Sequence, residues 1–265
     1  MRETRPGLQY IMKIKQFWIQ ILELTLASIK SRYRKTWAGF LWVILNPILM
    51  FGVQSLVFKK FLRLDIPDYF LFLLGGLLPW IFFTSTIQMG TPIFVAQAHL
   101  LKSFKINPWV VLGAQVMDSF VNFVASFILI MLPFYLFSDK SVLSLFILPV
   151  ALIPMLIGTL SITISLSVLN VFYRDINFVM NFIFSLLFFL TPIFYPKEFV
   201  PENYQWMIDL NPILYFIEPF RILIHGPGLE HFFPVFLKSI AAALFFSLIA
   251  FFVWRNKQNE FYRRL

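Results

Sequence analysis

The chain contains no cysteine, and only 13% of its 265 residues are charged. Without cysteine there is no disulfide framework, no thiolate nucleophile and no cysteine-ligated metal site. A soluble globular domain carries about 25% charged residues, so the low value excludes a surface that faces water throughout. The composition therefore indicates a membrane protein, with lipid as the solvent for much of its surface.

Sites for nucleotide or metal chemistry are also missing from the sequence. There is no G-x-x-x-x-G-K-[ST] loop to bind the phosphates of ATP. The three histidines are scattered and form no H-E-x-x-H pair, so no metal site is expected. We predict a chain without catalytic residues and without a cofactor of its own, so energy, if the function needs any, must come from another polypeptide.

Long apolar segments dominate the rest of the chain, in which 59% of the residues are hydrophobic and the mean hydropathy is +0.79. Six segments are long enough to cross about 30 Å of hydrocarbon at about 1.5 Å per residue. They are residues 37–58, 69–90, 108–137, 142–169, 176–195 and 233–254. These segments predict an all-α integral membrane protein with six transmembrane helices in a single transmembrane domain, 1–265.

Residues 10–30 have the pattern of a helix that lies on the membrane surface. Polar residues such as Lys13, Gln20 and Lys30 recur at helical spacing, and apolar residues such as Phe17 and Ile21 fill a wide stripe between them. A basic amphipathic helix of this kind binds at the lipid interface. We therefore predict an N-terminal interfacial helix before the first span.

The loop charges predict the orientation of the chain. Most of the 22 lysines and arginines fall before the first span, in the second and fourth connections, or in the C-terminal tail. An excess of Lys and Arg marks the cytoplasmic side, so both termini are predicted inside. The net charge of +9 then suits the anionic inner lipid surface, and no nucleic acid partner is expected.

The external segment 196–232 is too apolar for a simple loop. Five prolines divide it, and the apolar runs Tyr204–Leu210 and Ile213–Ile224 are too short to span a bilayer. Short apolar helices of this length are more often re-entrant or interfacial. We predict two short external helices that form a gate region between the fifth and sixth spans.

Polar residues inside the predicted spans are few. We interpret Asp118, near the cytoplasmic start of the third span, as a helix-end residue paired with a neighbour rather than as a proton relay. Two stripes of small residues in the fourth span are interpreted as surfaces for close helix packing. The stripes are Thr159, Thr163 and Ser167, and Gly158, Ser161 and Ser165.

A basic cluster, Arg32, Arg34 and Lys35, precedes the first span and is followed by Trp37. One interpretation is positive-inside anchoring with an interfacial tryptophan. The other is capture of an anionic head group such as a lipid diphosphate, because the planar arginine fork binds phosphate oxygens in pairs. Both interpretations can hold together.

The segment Ala96–Ile106 predicts a short amphipathic cytoplasmic helix between the second and third spans. It rests on lipid or inserts into a groove of a soluble partner. Leu100, Leu101 and Phe104 are expected to form one apolar patch. The full set of candidate contact residues is His99, Leu100, Leu101, Lys102, Phe104 and Lys105.

Aromatic residues make up 19% of the chain, with 35 phenylalanines. Many face lipid, but aromatic faces also stack on sugar rings and keep water out of a passage. The candidates for lining or gating a sugar conduit are Trp42, Trp80, Phe188, Tyr195, Tyr215 and Arg221.

Four stretches in this order resemble the membrane subunits of bacterial polysaccharide ABC exporters, the type-2 ABC transporters of O-antigen, teichoic acid and capsule. They are Arg32–Pro47 (RYRKTWAGFLWVILNP), Val171–Asp175 (VFYRD), Thr191–Pro196 (TPIFYP) and Asn211–Arg221 (NPILYFIEPFR). Order and spacing agree from residue 10 to 255. The motifs do not separate the substrates of this superfamily.

The resemblance implies an assembly and a cargo. Two copies of the chain form a homodimer and pair with two copies of a cytoplasmic ATPase, which carries ATP and Mg²⁺. Ala96–Ile106 is then the coupling helix, the external helices at 203–224 are the gate, and Arg174 and Asp175 belong to a structural loop motif. The cargo is a polysaccharide on undecaprenyl diphosphate, which enters near the basic cluster from the bacterial cytoplasmic (inner) membrane.

Three other functions remain open from the residues alone. One is an ABC exporter of a drug or small lipid, and another is a passive channel. The third is a membrane acyl- or glycosyltransferase. That enzyme needs outward-facing acids or histidines, for which Glu198, Glu202, His225 and His231 are the candidates.

Overall fold

The computed structural model describes residues 6–34, 39–104, 106–138, 142–226 and 229–265. Within these ranges all regular structure is helical and no strand occurs, which confirms the all-α prediction. Three predicted site residues, Lys35, Trp37 and Lys105, lie outside the described residues.

The α-helices of the described ranges are numbered along the chain. They are α1 (Pro6–Tyr33), α2 (Trp42–Ser55), α3 (Tyr69–Gly90), α4 (Ile93–Ala96), α5 (Ala98–Ser103), α6 (Pro108–Ser126), α7 (Leu132–Leu136), α8 (Val142–Phe172), α9 (Ile176–Leu190), α10 (Glu202–Asp209), α11 (Leu214–Ile224) and α12 (Phe232–Arg264). Leu56–Phe61 continues α2 as a π-helical turn, and Phe127–Met131 joins α6 to α7 in the same way.

Five helical stretches of the described chain are long and apolar enough to cross a membrane. They are Trp42–Phe61, Tyr69–Gly90, Pro108–Leu136, Leu143–Phe172 and Phe232–Arg264. The remaining predicted span corresponds to α9, which has 15 residues and is therefore about 22 Å long at about 1.5 Å per residue. The chain is a multi-pass membrane protein, and the count of six spans stays a prediction.

The N-terminal helix α1 packs along α6 through one stripe of residues. Ile21, Thr25, Ser28 and Arg32 follow helical spacing, and Thr25 donates a hydrogen bond to the Ala114 carbonyl at 3.3 Å. The face of α1 next to this stripe is apolar and exposed, with Trp18, Leu22 and Leu26 all about half accessible. An exposed apolar face beside the docking face suits a position at the lipid interface.

The short helix α11, which falls in the segment predicted to be external, is deeply buried. Nine of its 11 residues are buried, and it packs among α3, α8 and α12. Glycines on the neighbouring helices make room for it. A Cβ at Gly158 of α8 would lie 2.3 Å from the Phe216 ring, and one at Gly76 of α3 would lie 2.7 Å from the Arg221 guanidinium.

Gly158→Ala is therefore expected to destabilise the packing of α11. The added methyl collides with the buried Phe216 ring, and overpacking of this kind costs about 1–3 kcal/mol. The matched control is Gly52→Ala in α2, where a Cβ meets no atom within 4 Å. Thermal unfolding in detergent checks the prediction, and equal midpoints for the two variants would contradict it.

The two small-residue stripes of α8 lie in helix contacts, which supports the packing interpretation. Thr159, Thr163 and Ser167 have no solvent exposure. Ser161 forms a hydrogen bond of 2.9 Å with Ser247 of α12. In lipid, small residues at such contacts let helix backbones approach closely.

A second core cluster lies at the end of the molecule where α1 meets α6. Phe94 of α4 contacts Phe261 of α12 with ring centroids 5.2 Å apart, and Trp109 of α6 contacts Trp254 at 4.6 Å. Leu101 of α5 is buried in the same cluster. The C-terminal part of α12 therefore holds α4 and α5 against the start of α6.

Candidate functional site

A buried ion pair connects the end of α1 to α6. The Arg32 guanidinium pairs with Asp118, whose side chain has no solvent exposure, and the Ser28 hydroxyl donates to the same carboxylate oxygen at 3.1 Å. Asp118 was predicted to pair near the start of its span. The pairing is present, but Asp118 is the eleventh residue of α6 and not at its end.

Arg32 also lines a cavity of about 450 Å³ between α2, α3 and α6, which we call the α2–α3–α6 cavity. Most of its wall is apolar, and Trp42 lies on its α2 side. Its polar lining residues are Asn46, Ser85, Ser119, Asn122 and Ser126. Ser126 donates a hydrogen bond to the Val43 carbonyl at 3.0 Å, so this hydroxyl joins α6 to α2.

A second cavity, also of about 450 Å³, lies on the other side of Arg32 between α1, α4, α5 and α6. Ser28, Ser31, Gln97 and Gln115 contribute polar groups to it. Arg32 is the residue that both cavities share. A cation between two polar-lined cavities is suited to bind an anionic group that enters from either one.

The predicted coupling residues separate into two faces. Leu101 is buried and Leu100 is half-buried, whereas His99 and Lys102 are exposed. Phe104 is 68% exposed, so the prediction of one apolar patch shared by Leu100, Leu101 and Phe104 is wrong. The helix is also shorter than Ala96–Ile106, because the backbone departs from helical geometry at Gln97 and α5 ends at Ser103.

The predicted loop motif connects α8 to α9. Arg174 and Asp175 are both exposed, and the Asp175 carbonyl accepts the first amide hydrogen bonds of α9. An aspartate at a helix N-terminus is electrostatically favourable. Lys257 of α12 lies over the neighbouring rings of Phe172 and Tyr173, at 4.8 Å and 5.9 Å.

The predicted conduit aromatics lie in three places. Trp80, which is buried, contacts Phe188 at 5.7 Å. Phe194 joins Phe188 to Tyr195, with centroid distances of 5.5 Å and 5.1 Å. Trp42 lies apart from them in the α2–α3–α6 cavity. Tyr215 and Arg221 line a third cavity, of about 560 Å³, beside α10 and α11.

Arg221 makes several polar contacts at the wall of this third cavity. Its guanidinium donates to the Ile193 carbonyl and to Glu218, each at 3.3 Å, and lies 4.5 Å from the Phe72 ring centroid. Burial lowers the pKa of Arg221, and the carboxylates of Glu218 and Glu198 oppose that shift. The charge is thus held by three different contacts inside an apolar wall.

Two of the quoted motifs contact each other here. Asn211, at the start of NPILYFIEPFR, donates its amide to the Thr191 hydroxyl at 2.8 Å, and Thr191 begins TPIFYP. Arg221, at the other end of the longer motif, reaches Ile193 in the shorter one. The two motifs therefore form one structural unit that fixes α11 against the end of α9.

Sequence reasoning missed a polar stripe on α6. Gln115, Asp118, Ser119, Asn122 and Ser126 recur at steps of three or four and occupy one face of the helix. This periodicity is visible in the sequence, but only Asp118 attracts attention there because it is charged. The structure places this stripe along both cavities that meet at Arg32.

The enzyme candidates do not converge. Glu198 lies in the turn Lys197–Phe199 and Glu202 begins α10 after Pro201, so the two acids do not share one helix. Nε2 of His225 lies 2.6 Å from the Pro67 carbonyl. Across the part of the chain that the structure describes, no group of three His, Cys, Asp or Glu residues could hold a metal ion.

Apolar helices of spanning length define the chain as a multi-pass helical membrane protein. More narrowly, it belongs to the ABC-2 type transporter family, whose membrane-domain model matches residues 19–225. This match confirms the family resemblance of the four motifs. It covers α1 from its second half through α11 and so includes both Arg32 and Arg221, but not α12.

Relatives with assigned names agree with this family. An O-antigen export system permease protein of Klebsiella pneumoniae is 32% identical over 212 residues, which cover 80% of this chain and 82% of the relative. A Myxococcus xanthus protein of the same name is 26% identical and covers 95% and 98% of the two chains. A polysialic acid transport protein of Escherichia coli is 24% identical, with coverage of 76% and 79%.

Proposed function

We propose that the chain is the membrane subunit of an ATP-driven exporter that moves a polysaccharide, linked to undecaprenyl diphosphate, across the bacterial cytoplasmic membrane. The relatives support a polysaccharide cargo, because they are named for O-antigen export and polysialic acid transport. The observation that carries the proposal is the position of Arg32, which lies between two cavities beside a buried carboxylate.

The chemistry of Arg32 suits a diphosphate head group. A guanidinium offers paired N–H donors that match phosphate oxygens, and it keeps its charge in a partly apolar site. The side chain is 29% exposed, so a ligand can reach it while Asp118 holds it in place. Arg34 is exposed close by in the chain, and Lys35 and Trp37 complete the proposed entrance.

The subunit acts as a homodimer together with two copies of a cytoplasmic ATPase that binds ATP and Mg²⁺. One chain encloses little room for a sugar polymer, whereas two chains can surround a conduit. Large apolar side chains on α9, such as Phe178, Phe182 and Phe189, are 65–76% exposed, which suits contact with lipid or with the second copy. Trp80, Phe188, Tyr195, Tyr215 and Arg221 lie toward the external end, where α11 gates the exit.

The exposed residues of α5 form the contact to the ATPase in this scheme. His99, Lys102 and Phe104 face outward, while Leu101 fixes the helix to the second core cluster. A nucleotide-driven movement of the partner then reaches α4 and α12 through this cluster. Coupling therefore depends on the exposed face of α5 and on the buried contact behind it.

Lys102→Glu is expected to uncouple ATP hydrolysis from export by at least tenfold, because it reverses the charge on the exposed face of α5 without touching the buried face. The measurement compares ATPase activity with transport of lipid-linked polysaccharide in vesicles that contain both subunits. Lys60→Glu, an exposed lysine of the π-helical turn after α2, carries the same charge change and is the control. Normal transport by the Lys102→Glu variant would refute the coupling role. ATPase activity of the purified chain alone would refute the proposal that a separate subunit hydrolyses ATP.

A further inference from the structure

The polar stripe of α6 has a feature that helix packing does not explain. Ser126 at one end donates to α2, and Asp118 at the other end pairs with Arg32. Ser119 lies between them, is 4% exposed and lines the α2–α3–α6 cavity. Its hydroxyl makes no hydrogen bond to another described residue and is open to the cavity rather than sealed in the core.

A hydroxyl that opens into a cavity keeps its capacity to donate and accept hydrogen bonds for a ligand. Polar groups within spans often mark substrate pathways. Asn122 and Asn46 line the same cavity from α6 and α2. Serine and asparagine side chains both donate and accept, as sugar hydroxyl groups do.

The cavity also has the size and composition of a ligand site. Its volume of about 450 Å³ lies within the range of about 300–1,000 Å³ that is typical of small-molecule sites. Such sites combine apolar walls with a few converging polar groups. Trp42 supplies an aromatic face, Ser119 and Asn122 supply hydrogen-bonding groups, and Arg32 supplies a cation at the margin.

We infer that the α2–α3–α6 cavity binds the first sugar of a lipid-linked saccharide while Arg32 binds its diphosphate. This inference rests on the proposed function and adds a recognition site for sugar within a single subunit. The diphosphate stays beside Asp118 and Arg32, and the sugar ring lies against Trp42 with its hydroxyl groups toward Ser119 and Asn122. The subunit thereby distinguishes a loaded carrier lipid from an empty one.

The test measures binding of two probes to the complex of both subunits in nanodiscs. One probe is a polyprenyl diphosphate that carries a single hexose, and the other is the same polyprenyl diphosphate without sugar. Ser119→Ala and Asn122→Ala are each expected to weaken binding of the sugar-bearing lipid about fivefold, the effect of one lost hydrogen bond, and to leave the sugar-free lipid unchanged. Arg32→Gln is expected to weaken binding of both.

Ser165→Ala is the matched control, because Ser165 is 6% exposed and donates only within α8, to Ser161. If Ser119→Ala and Asn122→Ala behave like Ser165→Ala, the inference is wrong. A wild-type complex that binds the two lipids equally also overturns it, while the proposed function survives. A complex that binds neither lipid overturns the proposed function and this inference together.

Discussion

Replacing Arg32 with alanine is expected to detach α1 from α6 and to abolish export. The substitution leaves the fully buried Asp118 carboxylate without its cation, and breaking a buried pair in this way costs about 3–5 kcal/mol. Because the Arg32 side chain is partly exposed, we expect a value near the lower end. The remaining contacts of α1 are apolar packing, as at Ile21, and neutral hydrogen bonds, as from Thr25 to Ala114, and neither kind neutralises the Asp118 charge.

The absence of cysteine makes this docking directly measurable. Thr25→Cys and Ala114→Cys place one thiol on each helix at a point of contact, and no native thiol competes. A short thiol crosslinker should join α1 to α6 in the cysteine variant that keeps Arg32, and it should not join them when Arg32→Ala is added. Arg34→Ala removes an exposed arginine two residues away and should leave crosslinking unchanged. Undiminished crosslinking in the Arg32→Ala protein would show that the ion pair does not hold α1.

A double variant separates docking from ligand binding. Arg32→Gln together with Asp118→Asn removes both charges but keeps groups that can hydrogen-bond to each other. Replacement of both partners of a buried pair is often nearly neutral for stability. We expect crosslinking to recover while export stays low, since glutamine has no positive charge for a diphosphate.

Arg221→Met is expected to loosen the external helix α11 and to lower stability by about 2–3 kcal/mol. The substitution removes hydrogen bonds from a charged donor to the Ile193 carbonyl and to Glu218, and such bonds contribute about 1.5–3 kcal/mol. Methionine keeps a similar length in the apolar pocket beside Phe72. Thermal unfolding and proteolysis between α10 and α11 measure the effect.

The same region contains an exposed ion pair that serves as the control. Lys197 and Asp209 lie 2.5 Å apart, and their side chains are 36% and 54% exposed. Surface pairs contribute about 0–1 kcal/mol, so Lys197→Met should change the unfolding midpoint little. If Lys197→Met and Arg221→Met are equally destabilising, burial of the Arg221 charge is not what fixes α11.

Apolar periodicity in the sequence predicts most of the architecture, but it predicts only part of the candidate site. The run 69–90 is mostly apolar and bounded by Asp68 and Pro92, and α3 ends within these limits. The π-helical turn Leu56–Phe61 contains neither glycine nor proline, so no residue within it marks the irregularity in the sequence. The local sequence therefore predicts which segments are helical, but it does not predict where a helix departs from regular geometry.

The site shows the same division. Asp118 and Arg32 each attract attention as charges near a membrane, but their separation of 86 residues hides the pairing. The neutral members of the α6 stripe are individually ordinary, and only the cavity beside Ser119 distinguishes them from packing residues. For α5, the sequence pattern suggests one patch of Leu101 and Phe104, but Leu101 packs into the second core cluster and Phe104, just beyond the end of the helix, stays exposed.

The uninterrupted α12 has a mechanical consequence. Phe246 contacts Phe216 of α11, and Phe261 contacts Phe94 of α4. Between them α12 contains neither glycine nor proline over a length of about 22 Å, at about 1.5 Å per residue. Because hydrogen-bonded helical turns resist stretching, we expect α12 to transmit an axial displacement between its contact with α4 and its contact with α11.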